Sequence, residues 1–209
     1  MTKASYENSE RTKSAAKSAA IIEGAMKEFL RHGYAATSMD KVAKSAKVSK
    51  ATVYSHFGDK ESLFNAVIQD LVKDEFQQVM ELEAPDSLEQ DPQIVLSAIA
   101  NRMLNKARSD RSFQDFMRIT IGESGRFPEI AQAYVNNVAK PAIDLLTKYL
   151  QSHPKLKLED PEATVRVMLG TMVYFVMLQE MMHGKDIVPL ESDRVIQTLT
   201  NMITNQSQN

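Results

Sequence analysis

Residues 37–63 constrain this chain more than any other stretch, because they read as two short helices, a turn between them and the start of a third. Thr37 or Ser38 can cap the first short helix, and Asp40 would complete a capping box with Thr37. Ser49 is the corresponding cap of the second helix. Two short helices joined by a turn of three or four residues predict a helix-turn-helix.

The residue types of the second short helix suit DNA. Lys50 can reach a guanine edge or a phosphate, and the methyl group of Thr52 can touch a thymine methyl. Hydroxyl groups and the N-terminal amides of a helix bind phosphates. The residues that we predict at the DNA are Thr37, Ser38, Lys47, Ser49, Lys50, Ala51, Thr52, Tyr54, Ser55, His56 and Lys60.

Residues 15–64 resemble the DNA-binding domain of the TetR family of transcriptional regulators. The matching positions are Ile22, Ala25, Phe29, Gly33, Tyr34, Thr37, Ser38, Val42, Ala43, Val48, Ser49, Lys50, Thr52, Val53, Tyr54, His56, Phe57, Lys60, Glu61, Ser62 and Leu63. The resemblance implies that Tyr54 and His56 hold backbone phosphates, with Lys60 supporting them. The family usually has glycine where this chain has Lys47, so a positive φ at Lys47 would cost about 1 kcal/mol of strain.

The distribution of charge predicts a DNA-binding domain followed by a body of another kind. Residues 1–60 carry 11 Lys and Arg against 6 Asp and Glu, whereas residues 61–209 carry 14 against 21. We therefore predict a DNA-binding domain over 1–60 and an effector-binding and dimerisation domain over 61–209, linked by a helix over 60–82. The first ten residues are either an arm along the phosphates or a solvated tail.

Other features narrow the class of protein. The chain has no cysteine, its N-terminus has no apolar signal segment, and its most apolar stretch falls short of a membrane span. Its four histidines lack metal-ligand spacing, and no catalytic or phosphate-binding motif is present. We expect a cytoplasmic protein that is not an enzyme, with no metal, no cofactor and no membrane partner.

Periodicity over the rest of the chain predicts an all-α fold of about nine helices. The first helix covers 12–31 and ends at Gly33, and Pro141 should bend or break a later helix. Further helices are predicted over 161–183 and 190–204. Residues 116–150 resemble the C-terminal domain of the AefR-like TetR regulators, which implies a helical ligand-binding and dimerisation body.

The helix over 161–183 is apolar nearly all round, so it needs burial on every side, and a second copy of the chain would provide it. Two such copies would read a near-palindromic operator at a spacing of about one DNA turn, ~34–36 Å. The predicted dimer contacts are Val173, Val176, Met177, Val195, Leu199 and Met202.

Methionine and aromatic side chains in the body favour an apolar pocket for a small effector. The candidates are Met103, Phe113, Phe116, Met117, Tyr134, Met168, Met172 and Phe175, with Tyr134, Tyr174, Gln179 or Glu123 as polar anchors. Two alternatives remain open at this stage. In the first, the chain is a regulator whose body is solid core without an effector pocket. In the second, the chain is a helical small-molecule-binding protein with no DNA function.

Overall fold

The computed structural model describes the backbone of residues 3–80 and 88–205, and the side chains of 11–73 and 88–205. Over those residues the chain is all-α, as predicted, with no β-strand. Its helices are α1 (Lys3–Ala36), α2 (Met39–Ser45), α3 (Lys50–Phe57), α4 (Lys60–Met80), α5 (Pro92–Ser109), α6 (Arg111–Glu123), α7 (Pro128–Tyr134), α8 (Lys140–Ser152), α9 (Pro161–Val176) and α10 (Ser192–Asn205). A π-helical turn, Val135–Ala139, joins α7 to α8, so the described part of the chain has nine continuous α-helical rods.

Contacts divide the chain into two compact units. The first unit combines Met1–Val72 with Asp115–Asn137, and the second combines Lys73–Gln114 with Val138–Asn209. The division at residue 72 falls inside α4, so this helix contributes to both units. The domain boundary after residue 60 stays a prediction from the sequence, and the predicted end of the linking helix at residue 82 lies outside the described residues.

The first helix is longer than predicted, but it is interrupted where expected. α1 begins at Lys3, and its regular path is broken at Gly33, where φ is 75° and ψ is 172°. Glycine tolerates this positive φ because it has no Cβ. The backbone then makes a short further turn, Tyr34–Ala36, before α2 begins.

Serine side chains cap both short helices of the helix-turn-helix. Ser38 Oγ accepts from Lys41 N at 3.3 Å, and Ser49 Oγ accepts from Thr52 N at 3.1 Å. The predicted capping box of Thr37 with Asp40 is wrong. Thr37 is buried and its hydroxyl donates to Gly33 O at 2.8 Å, so it closes the preceding turn instead of capping α2.

Aromatic rings form the centre of the first unit. Phe29 and Tyr34 lie against Phe64 with ring centroids 5.2 and 5.1 Å apart, in edge-to-face arrangements. Phe116 stacks on Phe64 with centroids 4.7 Å apart, and Phe127 lies against Tyr34 at 5.2 Å. Such aromatic pairs contribute about 0.5–1.5 kcal/mol each beyond their area burial. Helices α1 and α4 are therefore packed together with α6 and the turn that follows it.

The second unit has an aliphatic core from α5, α8, α9 and α10, with Leu96, Leu104, Leu146, Leu150, Val165 and Met168 almost fully buried. Pro141 is the second residue of α8, and the regular α-helix is interrupted just before it by the π-helical turn, although the helical rod continues through this turn. A proline ring excludes the regular bond to residue i−4, and the wider π turn accommodates this loss.

The most apolar helix of the second unit is buried on one side only within its own chain. Its inward side chains include Met168 and Met172, whereas Val173 is 50% exposed and Tyr174 is also exposed. The α-helical part of α9 ends at Val176 and continues as a π-helical turn to Met181, close to the predicted end at residue 183. Among the described residues, only the helix Pro161–Met181 is long and apolar enough to cross a membrane. This is weak evidence of a membrane span, because core helices meet the same criterion.

Candidate nucleic-acid interface

Helix α3 has one buried and one exposed face. Val53 is completely buried, while the exposed face carries Lys50 with Tyr54 and Ala51 with Ser55, each pair four residues apart. Lys50 Nζ lies 5.8 Å from the centre of the Tyr54 ring. The Ser49 cap fixes where α3 begins, and Val53 fixes its rotation. As a result, one exposed surface of α3 carries the ammonium of Lys50, the methyl of Ala51, the phenol of Tyr54 and the hydroxyl of Ser55.

An ion pair connects the two helices of the helix-turn-helix. Lys50 Nζ lies 2.8 Å from Asp40 Oδ1 and 3.1 Å from Asp40 Oδ2. The hydrogen bond with Asp40, and then the charge of this carboxylate, raise the pKa of Lys50. In the free protein the main candidate for base contact is thus held by an acidic residue of α2.

The other residues predicted at the DNA differ in how accessible they are. Exposed ones are Ser38, Lys47, Ser49, Lys50, Ala51, Tyr54 and Ser55, and half-buried ones are Thr52, His56 and Lys60. Lys47, in the turn between α2 and α3, has a φ of 55°. It therefore adopts the left-handed conformation considered above for this turn position, where the family usually has glycine. Its side chain extends from this turn to solvent.

Lys60 and Thr37 are directed into the protein. Lys60 Nζ donates to Tyr34 O at 3.0 Å and to Thr37 O at 3.2 Å, and it lies 4.1 Å from the centre of the Tyr34 ring. Burial lowers the pKa of Lys60, while the charges of Glu123 and Glu129 oppose this effect. In this structure Lys60 therefore stabilises the backbone between Tyr34 and Thr37, and its role at a DNA phosphate stays a prediction.

Sequence reasoning missed the role of Glu123. This residue was a candidate anchor for an effector, but its carboxylate accepts hydrogen bonds from Tyr34 N at 2.8 Å and Ala35 N at 3.2 Å. No local signal could have revealed this contact, because 89 residues separate Glu123 from Tyr34. Gln179, another candidate anchor, is buried and donates to Val188 O at 2.8 Å.

The predicted effector-binding residues are distributed over both units. Met168, Met172 and Phe175 belong to the core of the second unit, and Met103 packs against them. Phe113 is half-buried in the same unit. The remaining three belong to the first unit: Phe116 is buried, and Met117 and Tyr134 are half-buried. Burial raises the pKa of Tyr134.

The predicted dimer contacts also differ from one another. Val173 and Met202 are exposed, Val176, Met177 and Val195 are half-buried, and Leu199 is only 6% exposed. Leu199 contributes to the core of its own chain, so it has little surface left for a partner. Across the part of the chain that the structure describes, no group of three or more His, Asp or Glu side chains is placed to hold a metal ion.

The capped α3 with one exposed polar face, set in an all-helical chain, defines a helix-turn-helix DNA-binding protein. Residues 21–67 match the family model of the bacterial regulatory proteins of the tetR family. Residues 94–206, more than half of the chain, match that of the AefR-like transcriptional repressor C-terminal domain. The chain belongs to the TetR family of transcriptional regulators and carries this AefR-like C-terminal domain.

Known proteins are similar over nearly the whole chain. The HTH-type transcriptional regulator YhgD of Bacillus subtilis (strain 168) is 29% identical over 182 residues, which cover 84% of this chain and 88% of YhgD. The solved structure of the flavonoid-responsive regulator FrrA is 27% identical, with a TM-score of 0.67 over 91% of this chain and 96% of FrrA. NalD of Pseudomonas aeruginosa, the secondary repressor of the MexAB-OprM multidrug efflux pump, shares the fold at 20% identity, with a TM-score of 0.69 over 92% and 96% of the two chains.

Proposed function

We propose that this regulator is a cytoplasmic homodimeric repressor that binds a near-palindromic operator through α3 and is released by a small apolar or amphipathic effector. The observation that carries the operator proposal is the exposed face of α3, where Lys50, Ala51, Tyr54 and Ser55 are exposed while Val53 is fully buried. A short helix presented in this way can enter the major groove with its N-terminal residues toward the bases.

The roles of individual residues follow from their positions. Lys50 stands at the N-terminal end of α3 and is proposed to contact a guanine edge. Tyr54, Ser55 and His56 are proposed to hold phosphates, and Ser49 to present the helix N-terminus to the backbone. Lys47 projects from the preceding turn and adds a cation for a neighbouring phosphate.

The dimer proposal rests on the exposed apolar side of α9. Val167, Val173 and Tyr174 are all exposed there, and Met202 is exposed on α10. Burying such side chains against a second copy removes apolar surface from water, which stabilises the assembly by about 25 cal/mol per Å² of buried area. A four-helix interface of α9 and α10 with their symmetry mates would then hold two α3 helices about one DNA turn apart.

The effector proposal rests on the sulphur-rich and aromatic composition around α9. Met103, Met168, Met172 and Phe175 share one apolar cluster, and thioethers adapt to ligands of irregular shape. The flavonoid responsiveness of FrrA supports a small, largely apolar effector here as well. A regulator without an effector is the second candidate, because Met168 and Met172 are almost completely buried as ordinary core side chains would be.

Selection of bound duplexes from a random pool, followed by binding titrations at several salt concentrations, tests the operator proposal. A palindromic winner with a steep salt dependence is expected, since each neutralised phosphate releases counterions. Lys50→Ala should change the preferred sequence, whereas the matched control Lys140→Ala, at an exposed lysine that begins α8, should not. Failure to enrich any duplex would contradict the proposed operator binding.

Thermal unfolding in the presence of flavonoids and other apolar compounds tests the effector proposal. A ligand that binds only the native state raises the unfolding midpoint with its concentration. The same compound should weaken operator binding. A compound that raises the midpoint without changing operator affinity would bind without regulating, and no shift across the set would favour the second candidate.

A further inference from the structure

The turn between α1 and α2 is held by a carboxylate from a distant part of the chain. Glu123, the last residue of α6, accepts from Tyr34 N at 2.8 Å and from Ala35 N at 3.2 Å. Hydrogen bonds to an ionised acceptor are roughly twice as strong as those between neutral groups. Two adjacent backbone amides therefore share one anionic acceptor, within a single compact unit of the protein.

The backbone at Gly33 is shaped for this carboxylate. A Cβ at Gly33 would lie 2.7 Å from Glu123 Oε1, which is closer than real Cβ contacts come. The positive φ of 75° at Gly33 independently favours glycine, and it directs the two following amides toward Glu123. The positive φ of Gly33 and its lack of a Cβ therefore both allow Glu123 to approach the turn.

The carbonyl side of the same turn is held by a cation. Lys60 Nζ donates to Tyr34 O and Thr37 O, and its positive charge interacts favourably with Glu123. Tyr34 is in addition packed against Phe127, four residues after Glu123. One short turn is therefore held by Glu123 at its amides, by Lys60 at its carbonyls and by an aromatic contact.

This turn leads directly into the helix-turn-helix. The Thr37 hydroxyl donates to Gly33 O at 2.8 Å, and its oxygen also lies 3.0 Å from Glu28 O, which ties the turn to the body of α1. Ser38, the next residue, is the cap of α2. Movement of the amides of Tyr34 and Ala35 would consequently displace the start of α2, and α3 follows α2 after four residues.

We propose that Glu123 is a positioning residue for DNA recognition, through which the end of α6 holds α2 and α3 in the geometry that fits the operator. This proposal rests on the proposed operator binding. Glu123 acts through the α1–α2 turn, so it affects affinity without contacting DNA. A displacement of the end of α6 would withdraw the carboxylate and release the two amides.

Glu123→Gln, in the full-length protein, tests the contact itself. One amide oxygen remains, but the side-chain NH₂ then faces a backbone N–H, so at least one hydrogen bond is lost. Hydrogen exchange of Tyr34 and Ala35 in the DNA-free protein should accelerate by about tenfold or more. The matched control is Glu129→Gln, in the first turn of α7. Glu129 also interacts with Tyr34 and Lys60 through its charge, but among the described residues its carboxylate accepts no hydrogen bond from the α1–α2 turn.

Operator titrations test the consequence. For Glu123→Gln we expect roughly 5- to 50-fold weaker binding with an unchanged salt slope, because no phosphate contact is removed. Glu129→Gln should bind nearly as the wild type does. Equal losses in the two variants would overturn the proposal, since they would assign the effect to charge, and a changed salt slope would also overturn it.

A thermodynamic cycle with Gly33 tests the proposal if Glu123→Gln is poorly folded. Gly33→Ala should lower the unfolding midpoint less in the Glu123→Asp background than in the wild type, because the shorter side chain relieves the collision with Cβ. Additive effects, or unchanged exchange at Tyr34 and Ala35, would overturn the contact. If the wild type binds no duplex, the proposed operator binding fails, but exchange and the cycle still report on Glu123.

Discussion

Lys50 and Asp40 form an ion pair across the turn of the helix-turn-helix, with Nζ 2.8 Å from Oδ1. Both side chains are more than half exposed, so the pair contributes little to stability. Its importance lies in competition, because a phosphate or a base would have to replace Asp40 as the partner of Lys50. We therefore expect Asp40 to lower the affinity of the protein for DNA in general.

Asp40→Asn should therefore strengthen DNA binding, by about two- to tenfold at low salt, because it frees Lys50 and removes a negative charge near the phosphates. The unfolding midpoint should change little. Fluorescence anisotropy with operator and random duplexes measures the effect. Asp144→Asn, which breaks the exposed pair of Asp144 with Lys140 on α8, is the matched control, and an equal gain there would contradict the prediction.

Lys60→Met should destabilise the protein, by about 1 kcal/mol or more, because the carbonyls of Tyr34 and Thr37 lose their donor. Urea unfolding measures this change. Salt titrations of operator binding then separate the structural role from a phosphate contact. The predicted phosphate role of Lys60 requires the salt slope to fall by about one in this variant, whereas an unchanged slope would leave Lys60 with its structural role alone.

Stability should fall at alkaline pH because of two buried phenols. Burial, with nearby carboxylates, raises the pKa of Tyr34 to about 12, and burial with Asp91 raises that of Tyr149 to about 12. The unfolded chain, with a tyrosine pKa of about 10, loses these protons first. The stabilisation is therefore complete below about pH 10 and is lost as the pH rises toward 12.

Urea unfolding between pH 8 and 12, with tyrosinate absorbance recorded in parallel, measures this loss. Tyr34→Phe should make it shallower, since phenylalanine has no proton to release. Tyr174→Phe changes an exposed ring and should follow the wild-type curve. A curve for Tyr34→Phe as steep as that of the wild type would show that Tyr34 is not responsible.

Lys47→Gly should stabilise the protein, by about 0.5–1 kcal/mol, since glycine adopts a φ of 55° without the strain that a Cβ causes. Lys44→Gly is the matched control, because it removes the same charge from a helical position of α2 and should destabilise by a similar amount. Thermal unfolding of both variants decides the prediction. Effects of the same sign would contradict it.

Val173→Glu should convert the proposed dimer into monomers, because it places a charge in the apolar side of α9 that a partner would cover. Val135→Glu is a matched control at equal exposure, since Val135 is 52% and Val173 is 50% exposed in the single chain. Sedimentation velocity at several concentrations measures the assembly. Dissociation of both variants, or of neither, would speak against α9 as the dimer surface.

Much of the fold could be predicted because its determinants are local. Ser38 and Ser49 cap helices through amides three residues away, and Val53 is buried because apolar spacing along α3 sets the inward face. Gly33 and Pro141 interrupt helices through their own backbone chemistry. Such interactions depend on residues within one or two turns of each other, so the sequence determines them without knowledge of the packing.

The tertiary structure alone decided which distant groups meet. Lys60 faces carbonyls instead of solvent, Glu123 binds the amides of Tyr34 and Ala35 across almost ninety residues, and Leu199 lies in the core of its own chain. Periodicity tells which side of a helix is apolar, but not which helix covers it or which polar group reaches an open amide. These contacts depend on the relative placement of whole helices, which arises only when the chain packs.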